Sequence, residues 1–563
     1  MRIRSISLAI TLVFGLGSAY AHDHHHEEAT AAPPAFVAST ARTFAQLMDD
    51  AMAVMDEGMR KAPMNGQSEH DFVTMMIPHH QGAVDMAKAL LLTTQDPELR
   101  NLALGIVAEQ QNEINVMHAW LERHSLQDRV YTADQNTNTV SVFDPSSNVL
   151  LGQIKLGNAR PDVLSPLYRG EINVHGLGFS PDHKTLIAIS NGSNSVTFID
   201  TATNQVKGKT YVGRSPHEGF FSADGKEVWV VVRGEDYISV IDPLTFKETR
   251  RIHCDLGPGM VQFHPDGKLA FVVSSFTPVV DVIDVQTHEI VKRIKVTSPF
   301  SPFLQFTPDF GEVWMTHKDV GKVTRIDTRT LEVTGVFDTG FITNHLAFAK
   351  VKGEVLCYVT VGGENLVKIY STGKDARLVD TIPTGALPHG IWTSDDSSRI
   401  YVGLENGDGV QVIDTATNKI IATMPGGQAP QALVYLSHVA SGGADAPNVV
   451  PRVNKDSASI KLLPAAGEGK GFAVVRNLGV IDAVEVSLFK LKPETEYSVY
   501  LSGQAAVLGS FRTDAKGAAN GTMIGPVRTL AKAEAAAGGG ERILVMEGAQ
   551  AADASKAVLL SAQ

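Results

Sequence analysis

The chain has only two cysteines in 563 residues, no basic block and few long apolar runs. Two cysteines exclude a disulfide scaffold and a four-cysteine zinc or iron–sulfur site, and the CxxCH motif of haem attachment is absent. The formal net charge of −12 makes nucleic acid an unsuitable partner. No segment reaches the length of a membrane-spanning helix, so we expect no membrane span. The chemistry of the protein must therefore use His, Met, Asp, Glu and backbone groups.

Residues 1–21 have the three parts of a secretory signal peptide. Arg2 and Arg4 precede an apolar run over residues 6–16. The segment ends in Ala19-Tyr20-Ala21, which fits the A-x-A pattern of a cleavage site. We therefore expect cleavage after Ala21 and a periplasmic or secreted protein.

Cleavage at that point would expose a histidine-rich leader over residues 22–35. Its first residue is His22 and its third is His24, which resembles the amino-terminal copper- and nickel-binding motif. His22 and His24 are therefore candidate ligands. The alternative is a flexible polar leader that binds metals only opportunistically.

The composition of the mature chain changes twice. Residues 36–125 are rich in Ala, Met, Leu and Glu with helical periodicity, whereas residues 129–438 consist of short β-branched strands between Gly, Asp, Asn and Pro turns. After a Gly- and Ala-rich linker, residues 448–562 contain further strand-like runs without His or Cys. These zones predict a helical bundle, a β-propeller and a small β-sandwich, the last suited to packing or to contact with a partner protein.

The middle zone repeats one unit. A strand ends in an Asp-type turn at Asp144, Asp200, Asp242, Asp284, Asp327, Tyr370 and Asp414. A period of about 40–45 residues with four short strands is typical of propeller blades, so seven turns predict seven blades. The orphan strand over residues 431–436 can complete the first blade and close the ring.

In detail these units resemble the YVTN family of β-propellers. The resemblance rests on Tyr131-Thr132-Ala133, Tyr358-Val359-Thr360-Val361 and Ile413-Asp414-Thr415-Ala416-Thr417-Asn418. It covers the whole zone and implies a fold, but it implies no activity, because propellers host many functions.

The innermost strand of each blade should begin at the central channel. The residues expected there are His175, His217, Gly259, Phe303, His345, His389 and Gln431. Four imidazoles at one channel mouth, from His175, His217, His345 and His389, would make a second metal site or an anion site. The alternative is that Pro-His-Gly recurs for reasons of turn geometry and packing.

The helical zone carries soft and borderline metal ligands at helical spacing. Met75 and His79 share one face at i, i+4, and so do Met76 and His80. Thioether sulfur suits copper(I), and imidazole suits copper, zinc and iron. The alternative for the methionines is that they fill an irregular core.

This zone resembles the domain-of-unknown-function 305 family. The similarity lies in His70-Asp71-Phe72, Met76-Ile77-Pro78-His79-His80-Gln81-Gly82-Ala83 and the run from Glu109 to Leu121. The resemblance implies a small, exported, ferritin-like helical bundle with a link to copper. The positions that match are His79, His80, Met76, Asp85, Met86, Gln110, Glu113 and Met117, and of these we take His79, His80, Met76, Met86, Glu113 and Met117 as candidate metal ligands.

Together these observations favour a binding protein over an enzyme. We expect an exported protein that binds, sequesters or delivers copper, or another transition metal, through the helical bundle, with the propeller as scaffold or second site. Two alternatives remain open. One is a propeller enzyme of lactonase or oxidoreductase type with a histidine-lined channel. The other is a scaffold whose propeller or C-terminal zone binds a periplasmic protein partner.

Overall fold

The structure is a computed structural model that describes residues 36–64, 68–124, 126–159, 167–441, 446–453, 457–465, 468–477, 482–502, 506–525, 543–548 and 553–561. The predicted signal peptide and the leader with His22 and His24 lie outside the described residues. The chain divides into two units, Met1–Glu122 and Arg123–Gln563. None of the helices in the described ranges is both long and apolar enough to cross a membrane.

Three helices form the described part of the first unit: α1 (Phe44–Arg60), α2 (Ser68–Thr93) and α3 (Pro97–His124). Thr43 begins α1 with a capping box, in which its hydroxyl accepts from the backbone N–H of Gln46 and the Gln46 side chain accepts from the backbone N–H of Thr43. Asp96 begins α3 in a similar way, because its carboxylate accepts from the first backbone N–H groups of the helix.

The helices do not form the predicted ferritin-like bundle. Helices α1 and α2 approach closely, since a Cβ added at Gly82 would lie 2.6 Å from the sulfur of Met55. Helix α3, in contrast, buries only Ala103 and Ile114 among its described side chains, and it leaves Leu99, Leu102, Leu104 and Val116 exposed. A bundle requires every helix to bury an apolar stripe. The prediction of an all-α bundle domain is therefore wrong, and most of the regular structure is β-strand.

Twenty-eight strands make the next region. In chain order they are β1 (Leu126–Asp134), β2 (Thr139–Asp144), β3 (Val149–Lys155), β4 (Val174–Phe179), β5 (Thr185–Ser190), β6 (Ser195–Asp200), β7 (Val206–Tyr211), β8 (Pro216–Phe221), β9 (Val228–Val232), β10 (Tyr237–Asp242), β11 (Lys247–His253), β12 (Pro258–Phe263), β13 (Leu269–Ser274), β14 (Val279–Asp284), β15 (Glu289–Lys295), β16 (Leu304–Phe306), β17 (Glu312–His317), β18 (Lys322–Asp327), β19 (Glu332–Asp338), β20 (Thr343–Val351), β21 (Glu354–Val361), β22 (Leu366–Ser371), β23 (Leu378–Pro383), β24 (Pro388–Thr393), β25 (Arg399–Leu404), β26 (Gly409–Asp414), β27 (Lys419–Pro425) and β28 (Pro430–Ser441).

These strands form seven antiparallel four-stranded sheets, so the predicted seven-bladed propeller is confirmed. Six blades use four consecutive strands each, and the remaining sheet has the order β28-β1-β2-β3. The last strand of the ring thus pairs with the first, with Tyr131 opposite Val434. This pairing closes the ring as expected and removes the free edges of an open array.

The Asp residues that mark the repeat stabilise the turn after the third strand of each blade. Asp242 accepts from the backbone N–H groups of Leu244 and Thr245, and Asp414 accepts from the N–H and the hydroxyl of Thr417. A carboxylate that caps its own turn in this way explains why the marker recurs at a fixed place in the repeat.

Eight further strands follow: β29 (Ser457–Pro464), β30 (Lys470–Asn477), β31 (Asp482–Phe489), β32 (Glu496–Leu501), β33 (Val507–Arg512), β34 (Ala519–Gly525), β35 (Ile543–Glu547) and β36 (Leu559–Ser561). They form one sheet with the order β33-β32-β35-β36-β29-β30-β31-β34. Its two edge strands face each other, since a Cβ added at Gly509 would lie 3.3 Å from the Cβ of Met523. The predicted β-sandwich of two sheets is therefore wrong, because a single sheet curls around one core into a nearly closed barrel.

Candidate metal centre in the propeller channel

The residue at the start of each inner strand faces its counterparts in the neighbouring blades. Around the ring these residues are Gln431, His175, His217, Gly259, Phe303, His345 and His389. In six of the seven blades the pairing register shifts at this point, for example between Val174 and Gly176 and between Pro388 and Ile391. A bulge re-aims the side chain of an inner strand, so the irregularity turns these residues toward the centre.

His175, His217 and Glu218 form the tightest group of potential metal ligands. One ligand atom of each lies within 4.8 Å of the others, and no other group of at least three His, Cys, Asp or Glu side chains meets this criterion among the described residues. Glu218 fits beside His175 because the next residue is Gly176, where an added Cβ would lie 2.8 Å from the Glu218 carboxylate. The group combines two imidazoles and one carboxylate.

The hydrogen bonds of the two imidazoles fix the proton of one ring. His217 Nδ1 lies 2.7 Å from the carbonyl oxygen of Gly259, which can only accept, so this nitrogen carries the proton and Nε2 of the neutral ring is unprotonated. His175 Nδ1 lies 3.1 Å from the side-chain amide of Gln135, which has both an acceptor and a donor group. The two Nε2 atoms face each other at 2.8 Å. Either a proton on His175 Nε2 or a cation shared by the two nitrogens satisfies this contact.

Burial makes a proton an unfavourable choice. It lowers the pKa of His175 and of His217 well below the usual value, and the charge of Arg233 lowers both further. Burial also raises the pKa of Glu218 to about 8, against the opposing effect of Arg233. At neutral pH, without a bound cation, both imidazoles are therefore neutral and the Glu218 carboxyl is mostly protonated.

The opposite side of the channel contains a second pair of histidines. His345 stacks on Phe303 with 4.0 Å between ring centroids, and the His389 ring follows at 4.9 Å. His389 Nδ1 lies 3.0 Å from the Glu405 carboxylate. Although burial opposes ionisation, the adjacent His389, the charge of Lys318 and the side chain of Gln431 lower the pKa of Glu405 to about 2. The ionised carboxylate thus lies beside Nδ1 of His389, although the two atoms are not aligned as a hydrogen bond.

The sequence interpretation missed a second ring of channel residues. These residues directly follow the second strand of each blade: Gln135, Asn191, Arg233, Ser275, Lys318, Gly362 and Glu405. Each comes four positions after a large residue of that strand: Tyr131, Ile187, Trp229, Phe271, Trp314, Tyr358 and Tyr401. Counting four residues from these mostly aromatic positions would have found the ring from the sequence.

The C-terminal sheet packs beside Glu405 and gives that region a structural role. Arg476 of β30 is fully buried and donates to the backbone carbonyl of Glu405 at 2.7 Å. The same guanidinium contacts the carboxylates of Asp408 at 2.9 Å and Glu485 at 2.5 Å. This sheet therefore supports the loop that carries Glu405.

In the helical unit the structure brings together some of the predicted ligands. His80 is mostly buried, with Nδ1 at 2.8 Å from the carbonyl of Met76 and Nε2 at 2.9 Å from the Glu113 carboxylate. His79 is exposed, with its ring centroid 5.8 Å from that of His80. Met86 and Met117 are half-buried on α2 and α3.

The family comparison concerns the same segment. Residues 69–147 match the family model described as Domain of unknown function (DUF305). This confirms the predicted resemblance, although the DUF305 segment begins in α2 rather than in α1 and extends through β2 of the propeller.

One curated relative matches a short part of the chain in sequence. Uncharacterized protein L153 of Acanthamoeba polyphaga mimivirus is 40% identical over 63 residues, which are 11% of this chain and 41% of that protein. The chain thus spans about two fifths of the length of the curated relative that it matches.

Solved structures match about half of the chain. They include Kuenenia stuttgartiensis hydrazine synthase (TM-score 0.43, 19% identity, 48% of this chain and 92% of that one). The Pseudomonas aeruginosa periplasmic gluconolactonase matches with a TM-score of 0.46 and 16% identity, over 55% of this chain and 99% of that one. A putative 6-phosphogluconolactonase from Bacteroides fragilis matches with a TM-score of 0.46 and 14% identity, over 55% of this chain and 98% of that one. These TM-scores are low, so the propeller assignment rests on the chain's own strand topology.

Proposed function

We propose that the propeller channel is the functional site of the protein, where a divalent transition-metal ion bound by His175, His217 and Glu218 assists the hydrolysis of a small-molecule ester or lactone. The observation that carries this proposal is the convergence of His175, His217 and Glu218, whose ligand atoms lie within 4.8 Å of one another, with the two Nε2 atoms 2.8 Å apart. A metal ion would accept both lone pairs and would also hold Glu218 in its ionised form.

The donor set indicates the type of metal. Two imidazoles and one carboxylate are the ligands of several catalytic zinc sites, which keep a fourth position for water. The set contains no sulfur, so it suits zinc(II) or copper(II) better than copper(I). Gln135 and the carbonyl of Gly259 lie next to the Nδ1 atoms of His175 and His217, on the side away from the Nε2 atoms. A metal-bound imidazole usually forms a hydrogen bond to such a group through its second nitrogen.

His389 and Glu405 supply the acid–base function that hydrolysis requires. The Glu405 carboxylate lies beside Nδ1 of the ring, and burial together with Lys318 lowers the pKa of His389, so the ring is neutral at pH 7. A neutral, oriented imidazole can take a proton from an attacking water and pass it to the leaving oxygen.

Zinc binding tests the metal centre. In full-length protein whose leader histidines are replaced by alanine, we expect one zinc ion to be lost when His175 and His217 are both changed to alanine. The matched control is His253→Ala, because His253 is exposed on the outer strand β11. Metal content after dialysis and calorimetric titration measure the difference. Equal zinc uptake by the double variant and the parent would contradict the proposal.

The hydrolytic role has its own test. A panel of esters and lactones should be turned over only by zinc-loaded protein, and His389→Ala should retain zinc while kcat falls by about 10²–10⁴-fold. If His389→Ala lowers zinc binding and activity in parallel, the residue supports the metal and has no acid–base role.

A second candidate function is copper binding by the exported protein's helical unit. His80 Nδ1 faces a carbonyl and therefore donates, so Nε2 of the neutral ring faces the Glu113 carboxylate at 2.9 Å with its lone pair. A proton on the ring or a metal ion must lie between these two acceptors. The half-buried thioethers of Met86 and Met117 lie on the same two helices and would suit copper(I).

Substitution of the two adjacent histidines separates this function from nonspecific uptake. In the background without leader histidines, we expect His80→Ala to lower copper affinity by about 10- to 100-fold. The exposed neighbour provides the control, since His79→Ala should change affinity little. A comparable loss in both variants, measured by competition with a copper chelator, would argue against a centre built around His80.

A further inference from the structure

Two cations at the channel have no ion-pair or hydrogen-bond partner for their side chains in the described part of the chain. Arg233 and Lys318 occupy corresponding positions in the second ring, on the third and fifth blades. Neither side chain has a salt bridge or a hydrogen bond among the described residues, and Arg233 Nε is inaccessible to solvent without an acceptor. A buried guanidinium nitrogen without an acceptor is costly, so an acceptor from outside the chain is expected there.

The electrostatics of the channel agree with this geometry. Burial lowers the pKa of Arg233 to about 10, and burial also lowers the pKa of Lys318. The two charges face the same channel, where Glu405 raises the pKa of Lys318 against the effect of burial and the charge of Arg233 lowers it. Like charges in a partly dry channel repel each other unless an anion lies between them.

One nearby carboxylate partly offsets these cations, because the charge of Glu405 acts on Lys318. Among the described residues, however, no carboxylate forms an ion pair or a hydrogen bond with Arg233 or with Lys318. Both cations are therefore able to contact an anion that enters the channel.

We infer that the channel recognises small molecules that carry a carboxylate or phosphate group, bound between Arg233 and Lys318. The inference rests on the proposed function, because it names the substrate class of the same channel. The planar guanidinium of Arg233 can bind two oxygens of such a group, and Lys318 adds a point charge. Phe300, whose ring centroid lies 5.9 Å from the Arg233 guanidinium, supplies an apolar wall beside it.

Binding of simple oxyanions to the metal-free full chain tests this inference. Inorganic phosphate and glutarate are the two probes, and their relative affinities distinguish a phosphate group from a carboxylate. We expect saturable binding of at least one probe by calorimetry. Arg233→Gln and Lys318→Met should each weaken it by about 10- to 100-fold, because a hydrogen bond to a charged group is lost.

The control is Lys292→Met, which removes an exposed lysine from the outer strand β15. It should leave the affinity unchanged, and thermal unfolding of all three variants should match the parent, since neither channel cation has a protein partner. If Lys292→Met weakened anion binding as much as the channel variants do, the loss would come from the change in net charge alone. That result would overturn the inference.

The outcome is separable from that of the metal proposal. Zinc uptake without binding of either anion at millimolar concentration would overturn the substrate class and leave the metal centre standing. Anion binding that depends on Arg233 and Lys318, without any zinc uptake, would support the anion site while the proposed metal-dependent hydrolysis failed.

Discussion

Replacing Arg476 with methionine is expected to lower the free energy of unfolding of the propeller and C-terminal region by about 3–5 kcal/mol. The guanidinium is fully buried between Asp408 and Glu485 and also donates to the Glu405 carbonyl. Methionine fills much of the same space, so packing is largely retained. Two carboxylates would nevertheless be left without their cation, and an uncompensated buried charge is the main cause of the loss.

Arg512→Met is the matched control for this substitution. Arg512 lies on β33 of the same sheet, but it is exposed and its ion pair with Glu494 measures 3.4 Å. Exposed pairs contribute at most about 1 kcal/mol. Urea unfolding followed by tryptophan fluorescence and by limited proteolysis of the C-terminal sheet would measure both variants. Similar midpoints for Arg476→Met and Arg512→Met would show that the buried cluster does not stabilise the contact between sheet and propeller.

The stability of the same region is expected to fall as pH rises from about 4 to 7, because of Asp134. This carboxyl is fully buried, and burial raises its pKa to about 7, although hydroxyls of Ser141, Thr132 and Thr139 donate to it. The folded protein thus holds a proton that the unfolded chain releases near pH 4. The contribution is fully present below pH 4 and is lost as pH approaches 7, with a total of about 4 kcal/mol.

Asp134→Asn isolates this effect, because the amide is neutral in both states. The variant should show a flatter profile between pH 4 and 7 and should be more stable than the parent at pH 8. Asp242→Asn should change the pH dependence of stability in the opposite direction. Backbone N–H groups lower the pKa of the Asp242 carboxyl, so its contribution to the stability of the parent is lost as pH falls. If Asp134→Asn left the slope of the unfolding midpoint against pH unchanged, the titration would belong to another group.

Much of the propeller could be predicted because its information is local and repeated. The Asp turns, the aromatic positions in the second strands and the proline at the start of the inner strand recur in most blades, so each blade supports the assignment of the next. The helical unit has no such repetition. Its apolar spacing predicts helices correctly, but periodicity does not reveal whether α3 finds a surface on which to bury Leu102 and Leu104.

The candidate centre was predictable only in outline. The inner-strand histidines were visible as a set, but Glu218, Arg233, Lys318 and Glu405 were not among the predicted site residues. Arg233, Lys318 and Glu405 each follow an aromatic residue of a second strand by four positions, so the repeat places them at equivalent positions of three blades. The repeat does not reveal their burial or their distances from the histidines.

The amino-acid sequence by itself determined the number of blades, the strand that closes the ring and the residue that begins each inner strand, because hydrophobic period and turn chemistry act over a few neighbouring residues. Only the tertiary structure decided which imidazoles meet, where their protons lie, that two cations face each other, and that the last strands form one curled sheet with a buried arginine against the propeller. Those properties depend on distances between residues far apart in the chain, and on burial, which sets the cost of every unpaired charge.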